Sequence, residues 1–188
     1  MRLFIAINID PSLQAPLEEI QGKLKATPAP ISWVKVHKLH WTLKFLGEVQ
    51  DARLPALREA FGLALAGVKP FTLSLAGLGT FPPTGRPRVI WIGIQQGAEE
   101  MQRLRARIDD TFLPLGFSRE SRPFHPHLTL GRVTQGGRLG PLLDSLRGIE
   151  TGEVGRMQVR SVELMQSALH PAGAVYTAAE TVLLTEEQ

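Results

Sequence analysis

One short pattern with the residue types for acid–base chemistry occurs twice in this chain. Each copy reads His-x-Thr-Leu, and the copies lie nearly half a chain length apart, at His40-Trp41-Thr42-Leu43 and His127-Leu128-Thr129-Leu130. A neutral imidazole can take a proton from an attacking oxygen, and an imidazolium can give one to a leaving oxygen. Hydroxyls and a nearby cation can hold the non-bridging oxygens of a phosphodiester. The matched pair therefore favours metal-free attack on a phosphodiester.

Metal binding is the competing use of two histidines. A zinc site takes three or four protein ligands, or three and a water. Neither copy of the motif has a carboxylate or a third His at ligand spacing on the same strand face. A lone His or Thr on a strand is more often an ordinary surface or core residue than a functional one. The repetition of the motif is what favours a functional role for its histidines and threonines. The sequence predicts no metal and no cofactor.

The period of a β-strand decides where the side chains of each motif point. Successive side chains alternate between the two faces of a sheet. This alternation predicts that His40, Thr42 and Lys44 share one face and that the apolar residues between them face the core. His127 and Thr129 should share a face in the same way. The repetition also indicates two related lobes, whose His/Thr faces could meet across a cleft.

Length and composition limit the class of protein. The chain has 188 residues, 43% of them hydrophobic, with a formal net charge of +3 and no cysteine. This composition predicts a single folded domain over 1–188 and excludes disulfide scaffolds, zinc fingers and iron–sulfur sites. The apolar start of the chain ends at Asp10 with no small-residue cleavage site, and no apolar run has the length of a membrane span. We expect a soluble, cytoplasmic protein with no membrane partner.

The hydrophobic periodicity predicts more strands than helices. Strands are expected over 2–9, 31–36, 40–49, 71–78, 88–94, 127–133, 157–168 and 174–184. Helices are expected from Asp10 to about Lys25, from Asp51 to about Gly67, over 97–115 and over 140–147. The outer face of the third helix carries alternating charges, which we expect to be solvated. This order, without regular βαβ repetition, predicts an α+β fold of antiparallel sheets covered by helices.

The motifs resemble those of the two-histidine (2H) phosphoesterases, and specifically the RNA 2′,3′-cyclic phosphodiesterases, also called 2′-5′ RNA ligases or LigT-like proteins. The resemblance rests on five segments: 2–6, 40–47, 79–82, 88–91 and 124–132. It implies an enzyme with a bilobal, pseudo-twofold α+β fold and a central cleft, without a metal. The resemblance in element order extends over essentially the whole chain.

The resemblance also implies roles for individual residues. His40 and His127 match the catalytic histidines, with His40 as proton donor to the leaving ribose oxygen and His127 as proton acceptor from water. Thr42 and Thr129 match hydroxyls that bind the substrate phosphate. Arg132 matches a basic position often seen after the second motif and is the third candidate for phosphate binding.

The basic residues near the motifs are expected to act mainly on RNA affinity. They are Lys44, Arg122 and Arg132. Strict alternation would place Arg132 on the face of Leu128 and Leu130, so it can reach the phosphate only if the strand ends or twists there. His125, two residues before the second motif histidine, is expected to have a structural role.

The resemblance implies hydrolysis of a terminal 2′,3′-cyclic phosphate on RNA to a 2′-phosphomonoester, with 2′-5′ ligation as the possible reverse reaction. The expected partner is therefore an RNA end with a 2′,3′-cyclic phosphate, bound by a monomeric protein. One alternative is a non-catalytic RNA-binding module that uses the same cleft. Another is a phosphoesterase that acts on a small nucleotide or ADP-ribose cyclic phosphate. Two intact His-x-Thr motifs argue against simple binding, which would tolerate Lys or Arg in place of His.

Overall fold

Nine strands and four α-helices make up the described part of the chain. The computed structural model describes residues 1–121, 123–134, 138–149, 152–170 and 173–185. The strands are β1 (Arg2–Asn8), β2 (Ile31–Trp33), β3 (His40–Glu48), β4 (Phe71–Phe81), β5 (Val89–Gln96), β6 (Leu128–Val133), β7 (Gly155–Val159), β8 (Ser161–His170) and β9 (Gly173–Leu183). The helices are α1 (Gln14–Lys25), α2 (Leu54–Leu65), α3 (Ala98–Phe112) and α4 (Gly140–Gly148). None of the helices in these ranges is long and apolar enough to cross a membrane.

The strands form two separate sheets. The first sheet has the order β3-β1-β8-β9, and the second has the order β2-β6-β5-β4-β7. All neighbouring strands are antiparallel. The first motif lies in β3 and the second begins one residue before β6, so each sheet carries one copy. The predicted α+β class, with one sheet for each lobe, is confirmed.

Apolar side chains at helical spacing join the helices to the core. Leu17, Ile20 and Leu24 lie three and four residues apart on one face of α1 and are buried. Leu104 and Ile108 lie four residues apart on one face of α3 and are also buried. Full burial of one such side chain contributes about 1.5–3 kcal/mol. The helices therefore cover the sheets because each of them has one apolar stripe to bury.

The prediction of one strand over 157–168 is wrong, because the chain changes sheets at Arg160. β7 ends at Val159 and pairs with β4 of the second sheet, whereas β8 begins at Ser161 and pairs with β1 of the first. The backbone carbonyl of Arg160 accepts a bond from the N–H of Leu184, 2.8 Å away. The hydrophobic alternation continues across this break, so periodicity alone could not show it.

Several other predicted elements have different ends. The strand predicted over 31–36 stops at Trp33, and a single 3₁₀ turn, Val36–Lys38, leads into β3. The strand predicted to end at Leu78 continues to Phe81, and α3 ends at Phe112 before another 3₁₀ turn. The longer β4 matters most, because Phe81 becomes part of the sheet beside the second motif.

Candidate active site

The first motif lies at the start of β3, on one face of the first sheet. His40 and Thr42 are half-buried and stand opposite Asn8 and Ala6 of β1. Trp41, between them, points to the core and is buried. Residues directly opposite in an antiparallel ladder share a face. We call the face with His40 and Thr42 the cleft face of the first sheet.

A β-bulge follows the first motif and reverses the next side chains. Ala6 pairs with Thr42 and Ile5 with Lys44, so Leu43 has no partner on β1. An extra residue in one strand shifts the alternation by one position. Lys44 therefore points into the core and is 2% exposed, whereas Phe45 lies on the cleft face and is 60% exposed. The predicted placement of Lys44 beside His40 and Thr42 is wrong, and its burial also removes it from contact with RNA.

A bulge occurs at the same place in the second motif. Thr129 pairs with Trp91 and Gly131 with Ile90, so Leu130 is the extra residue on β6. Arg132, which pairs with Val89, consequently shares a face with Thr129. The prediction from strict alternation, which placed Arg132 on the face of Leu128 and Leu130, is therefore wrong. We call the face with Thr129 and Arg132 the cleft face of the second sheet.

A buried glutamine supports the second bulge. The side-chain amide of Gln21, on α1, donates to the backbone carbonyls of Leu130 at 3.0 Å and of Val34 at 2.8 Å. The N–H of Val34 also donates to the carbonyl of Leu130, at 3.0 Å. A bulge disrupts the ladder locally, and here two donors, one of them the Gln21 amide, satisfy the buried carbonyl of Leu130. Gln21 therefore helps fix the backbone that turns Arg132 to the cleft face.

β3 and β6, the strands that carry the two motifs, contact each other across the boundary between the sheets. The positive charge of Arg132 acts on both His40 and His127 and lowers the pKa of each. One cation of the second sheet is therefore close enough to influence the imidazoles of both motifs. The structure brings His40, His127 and Arg132 into one site.

Both motif histidines have the same hydrogen-bonded tautomer. Nδ1 of His40 lies 2.8 Å from the backbone carbonyl of Lys38, and Nδ1 of His127 lies 2.6 Å from that of His125. A carbonyl can only accept, so Nδ1 must carry the proton in each ring. The neutral ring then keeps a lone pair on Nε2. Each histidine can accept a proton at Nε2 when neutral and donate one from Nε2 when protonated.

An aromatic ring packs edge-on against each histidine. Tyr176 lies 5.2 Å from His40 and Phe81 lies 4.8 Å from His127, measured between ring centroids, and both pairs are inclined at 83°. A second ring completes each side: Phe4, 5.1 Å from His40, and Trp91, 6.2 Å from His127. Such contacts restrict how far the imidazole can turn. The rings therefore hold Nε2 of each histidine in a fixed direction.

Burial lowers the pKa of both histidines below the ordinary value. In His40 the burial acts against the bond from Nδ1 to Lys38, which raises the pKa, and Arg132 lowers it further. In His127 burial is again the main cause, the bond to His125 raises the pKa, and Arg132 and the His125 side chain lower it. Both imidazoles are thus biased towards the neutral form at neutral pH. An anionic substrate would favour protonation of either one.

The polar groups on the two cleft faces match the chemistry inferred from the motifs. They include two imidazoles, two threonine hydroxyls and one guanidinium, with Asn8 opposite His40 on the first sheet. Among the described residues, no three His, Cys, Asp or Glu side chains are placed to hold a metal ion. Arg122, a predicted RNA contact, lies outside the described residues.

Sequence reasoning missed several residues that support the site. Phe81 falls in a predicted loop, Tyr176 in a strand with no motif, and Gln21 among apolar positions of a helix. The one usable signal is Gln21, a polar residue next to Ile20 on the apolar face of α1, since a buried amide needs hydrogen-bond partners. The aromatic partners of the histidines depend on strand pairing, which the sequence does not give.

Comparisons with known proteins identify the family of the chain. A sequence model of the 2′-5′ RNA ligase superfamily matches residues 9–170. A protein of Methanothermobacter thermautotrophicus named RNA 2′,3′-cyclic phosphodiesterase is 35% identical over 184 residues, which cover 98% of this chain and 99% of that protein. Another of that name, from Aeropyrum pernix, is 36% identical over 85% of this chain and 90% of its own length.

Solved structures are similar over the full fold. A crystal structure from Thermus thermophilus superposes with a TM-score of 0.83 at 30% identity and covers 100% of both chains. The structure of E. coli LigT complexed with 3′-AMP superposes with a TM-score of 0.78 at 26% identity and covers 98% of both. The resemblance inferred from the motifs is confirmed.

Proposed function

The chain belongs to the 2′-5′ RNA ligase superfamily, and from that premise we propose that it hydrolyses RNA-terminal 2′,3′-cyclic phosphate to a 2′-phosphomonoester without a metal. The observation that carries the proposal is the pair of His-x-Thr motifs with matching Nδ1 to carbonyl bonds, which leave Nε2 of both rings for substrate. Relatives that are 35% and 36% identical to this chain are named RNA 2′,3′-cyclic phosphodiesterase.

In the proposed reaction His127 is the base and His40 is the acid. Nε2 of His127 takes a proton from water as the water oxygen attacks phosphorus. The bond between phosphorus and the ribose 3′ oxygen breaks on the opposite side, and Nε2 of His40 protonates that oxygen. Thr42, Thr129 and Arg132 donate to the non-bridging oxygens, where negative charge develops.

The division of roles follows the family resemblance of the two motifs. Burial is the main cause of the lowered pKa in both rings, and Arg132 lowers the pKa of both. Binding of the anionic substrate favours protonation of the site, so one ring can carry a proton while the other stays neutral.

We propose that 2′-5′ ligation uses the same groups, with the 5′-hydroxyl of a second RNA end in place of water. Nε2 of His127 takes the hydroxyl proton as the 5′ oxygen attacks phosphorus, the bond to the ribose 3′ oxygen breaks, and Nε2 of His40 protonates that oxygen, which leaves a 2′-5′ phosphodiester. Because hydrolysis and ligation share the base, the acid and the leaving oxygen, the site that hydrolyses can also join. Water is far more concentrated than RNA ends, so we propose hydrolysis as the main direction. We assign the reaction to the whole chain, 1–188, acting as one monomeric bilobal unit in the cytoplasm.

The test is an oligoribonucleotide with a terminal 2′,3′-cyclic phosphate, incubated with and without EDTA. We expect conversion in both cases and a 2′-phosphate product. His40→Ala and His127→Ala should each lower kcat by about 10²- to 10⁴-fold. His170→Ala, an exposed position at the end of β8, is the matched control and should change nothing.

Three results would contradict the proposal. Loss of turnover in EDTA would assign the chemistry to a metal. RNA binding without turnover would indicate a binding module. A 3′-phosphate product would reverse the regiochemistry. An ester with an activated phenolate leaving group separates the two roles, because it should restore turnover to His40→Ala and not to His127→Ala.

A further inference from the structure

A buried ion cluster lies behind the first motif, on the side away from the cleft. Lys44, Asp109 and Arg105 are 2%, 7% and 8% exposed. The Lys44 ammonium pairs with Oδ1 of Asp109, and Nε of Arg105 lies 3.4 Å from Oδ2. Two cations and one carboxylate are thus withdrawn from water together. Asp109 and Arg105 occupy α3, on which we expected only solvated charges.

The cluster also holds the segment that leads into the second motif. Residues 117–121 and 123–127 of this segment have no helix or strand. Lys44 donates to the carbonyl of Ser118 at 2.9 Å. The Arg105 guanidinium lies 3.5 Å from Oε2 of Glu120 and 4.6 Å from the ring centroid of Phe124, over its face. These contacts fix the segment at three points before it reaches His127.

A continuous series of contacts therefore joins the two motifs behind the site. It begins at Lys44, two residues after Thr42 on β3, and passes through Asp109 to Arg105. It continues through Phe124 to His125, whose carbonyl accepts the Nδ1 bond of His127. Phe124 itself packs against the hydrophobic core. The described residues of the segment form no helix or strand, so side-chain contacts hold it in place: these contacts, the packing of Phe117 on Phe112 and the ion pair of Arg119 with Asp110.

We propose that the Lys44–Asp109–Arg105 cluster positions His127 relative to the first motif, with Arg105 as the main positioning residue. This inference rests on the proposed function, because it concerns the base of that reaction. Arg105 acts through Phe124 and His125 and does not touch substrate. Its planar guanidinium can bond Asp109, reach Glu120 and stack on Phe124 at once, which a lysine ammonium cannot do.

Stability alone is a poor reason for such a cluster. Well-packed apolar residues often replace a buried ion cluster with no loss of stability, since desolvation of the charges is costly. Charged hydrogen bonds do fix the relative orientation of the groups that they join, because each bond requires a particular geometry. A cluster placed between the two halves of the site is therefore better explained by positioning than by stability.

The experiment compares Arg105→Lys with Arg103→Leu. Arg103 lies on the same helix, is exposed, and pairs only with Glu99 and Glu100 among the ion pairs seen in the described residues. Nitrogen-15 NMR of the imidazoles reports which ring nitrogen carries the proton in each histidine. Measurement of kcat and KM on the cyclic-phosphate oligoribonucleotide reports the effect on turnover.

In Arg105→Lys we expect His127 to lose part of its Nδ1-protonated tautomer, because the carbonyl of His125 is no longer held in place. His40 should keep its Nδ1-protonated tautomer, because its bond to Lys38 is remote from the cluster. We expect kcat to fall by about tenfold or more with KM within threefold. Arg103→Leu should match the wild type in both measurements.

Phe124→Leu provides a second variant, which keeps the ion cluster and removes only the ring beneath the guanidinium. It should change the His127 tautomer in the same direction. An unchanged His127 tautomer in both folded variants, whatever the loss of thermal stability, would overturn the proposal. If the wild type does not hydrolyse the substrate, the proposed function fails, and the NMR measurement still decides whether the cluster positions His127.

Discussion

Gly79 is the position where a single methyl group should disturb the second histidine most directly. A Cβ at Gly79 would lie 2.3–2.7 Å from three atoms of the Trp91 ring. Carbon atoms pack best at about 3.5–4.0 Å, so the ring must move by about 1 Å or more. The Trp91 ring in turn lies 5.2 Å from the ring centroid of Phe81 and 6.2 Å from that of His127. Gly79→Ala therefore pushes the aromatic support of His127 out of place.

The expected cost has two parts. Overpacking of a fitted site costs about 1–3 kcal/mol, and for a chain of this length each kcal/mol lowers Tm by about 2–4 °C. A displacement of about 1 Å at a reacting group can lower turnover by up to about 10²-fold. We therefore expect Gly79→Ala to lower kcat/KM by roughly ten- to a hundredfold. Most of the protein should remain folded, so the loss of stability alone would not produce this fall in kcat/KM.

A double-mutant cycle tests the cause. Trp91→Phe removes most of the ring atoms that the new methyl group would meet, so Gly79→Ala should be milder in the Trp91→Phe background than alone. Gly62→Ala is the control, because a Cβ there meets nothing within 4 Å and the position lies inside α2. It should raise stability by about 0.5–1 kcal/mol and leave turnover unchanged. Additive effects of Gly79→Ala and Trp91→Phe in thermal unfolding and kcat/KM would refute the reasoning.

Three further predictions concern charge and hydrogen bonding. Arg132→Gln removes a charge that lowers the pKa of both histidines, so the pH profile of kcat/KM should shift to alkaline pH. The maximum of the profile should fall about 10- to 100-fold, because the contact with the substrate phosphate is lost. An unshifted profile would contradict the placement of Arg132. Burial raises the pKa of Glu163, against bonds from Ser161 and the Asn8 backbone, so wild-type stability should fall as pH rises from 4.5 through the folded-state pKa. Glu163→Gln should lack that fall in urea unfolding across the same range, and parallel curves would contradict the assignment. Gln21→Met removes two bonds to buried carbonyls and should cost about 1–3 kcal/mol with reduced kcat/KM, whereas unchanged stability would mean that the bulge does not need the amide.

Periodicity in the sequence was enough to predict the fold class and the elements that carry the motifs. Alternating apolar residues mark the strands because each strand buries one face, and Leu17, Ile20 and Leu24 mark α1 for the same reason. The repeated His-x-Thr-Leu indicated two lobes because the same local chemistry recurs in two strands. Local patterns of this kind depend on neighbours in sequence, which is why they could be read directly.

The bulges could not be predicted, and they decide which basic residue faces the cleft. Leu43 and Leu130 are ordinary buried leucines in sequence, and only the pairing with β1 and β5 shows that each is an extra residue. The consequence is opposite for the two basic residues, since Lys44 turns into the core and Arg132 turns towards the cleft. Strand pairing is a long-range property, so alternation counted along one strand gives the wrong face after a bulge.

The two bulges also give the two halves of the site different surroundings. Because each bulge lies at the fourth residue of its motif, Phe45 in the first sheet occupies the position that Arg132 occupies in the second. The histidines themselves have the same tautomer and the same edge-on aromatic contact, so their local geometry does not assign different roles. The first sheet presents an apolar ring at this position, and the second presents a cation whose charge lowers the pKa of both imidazoles. On the proposed mechanism, the anionic substrate phosphate offsets that charge and draws in the proton that His40 donates.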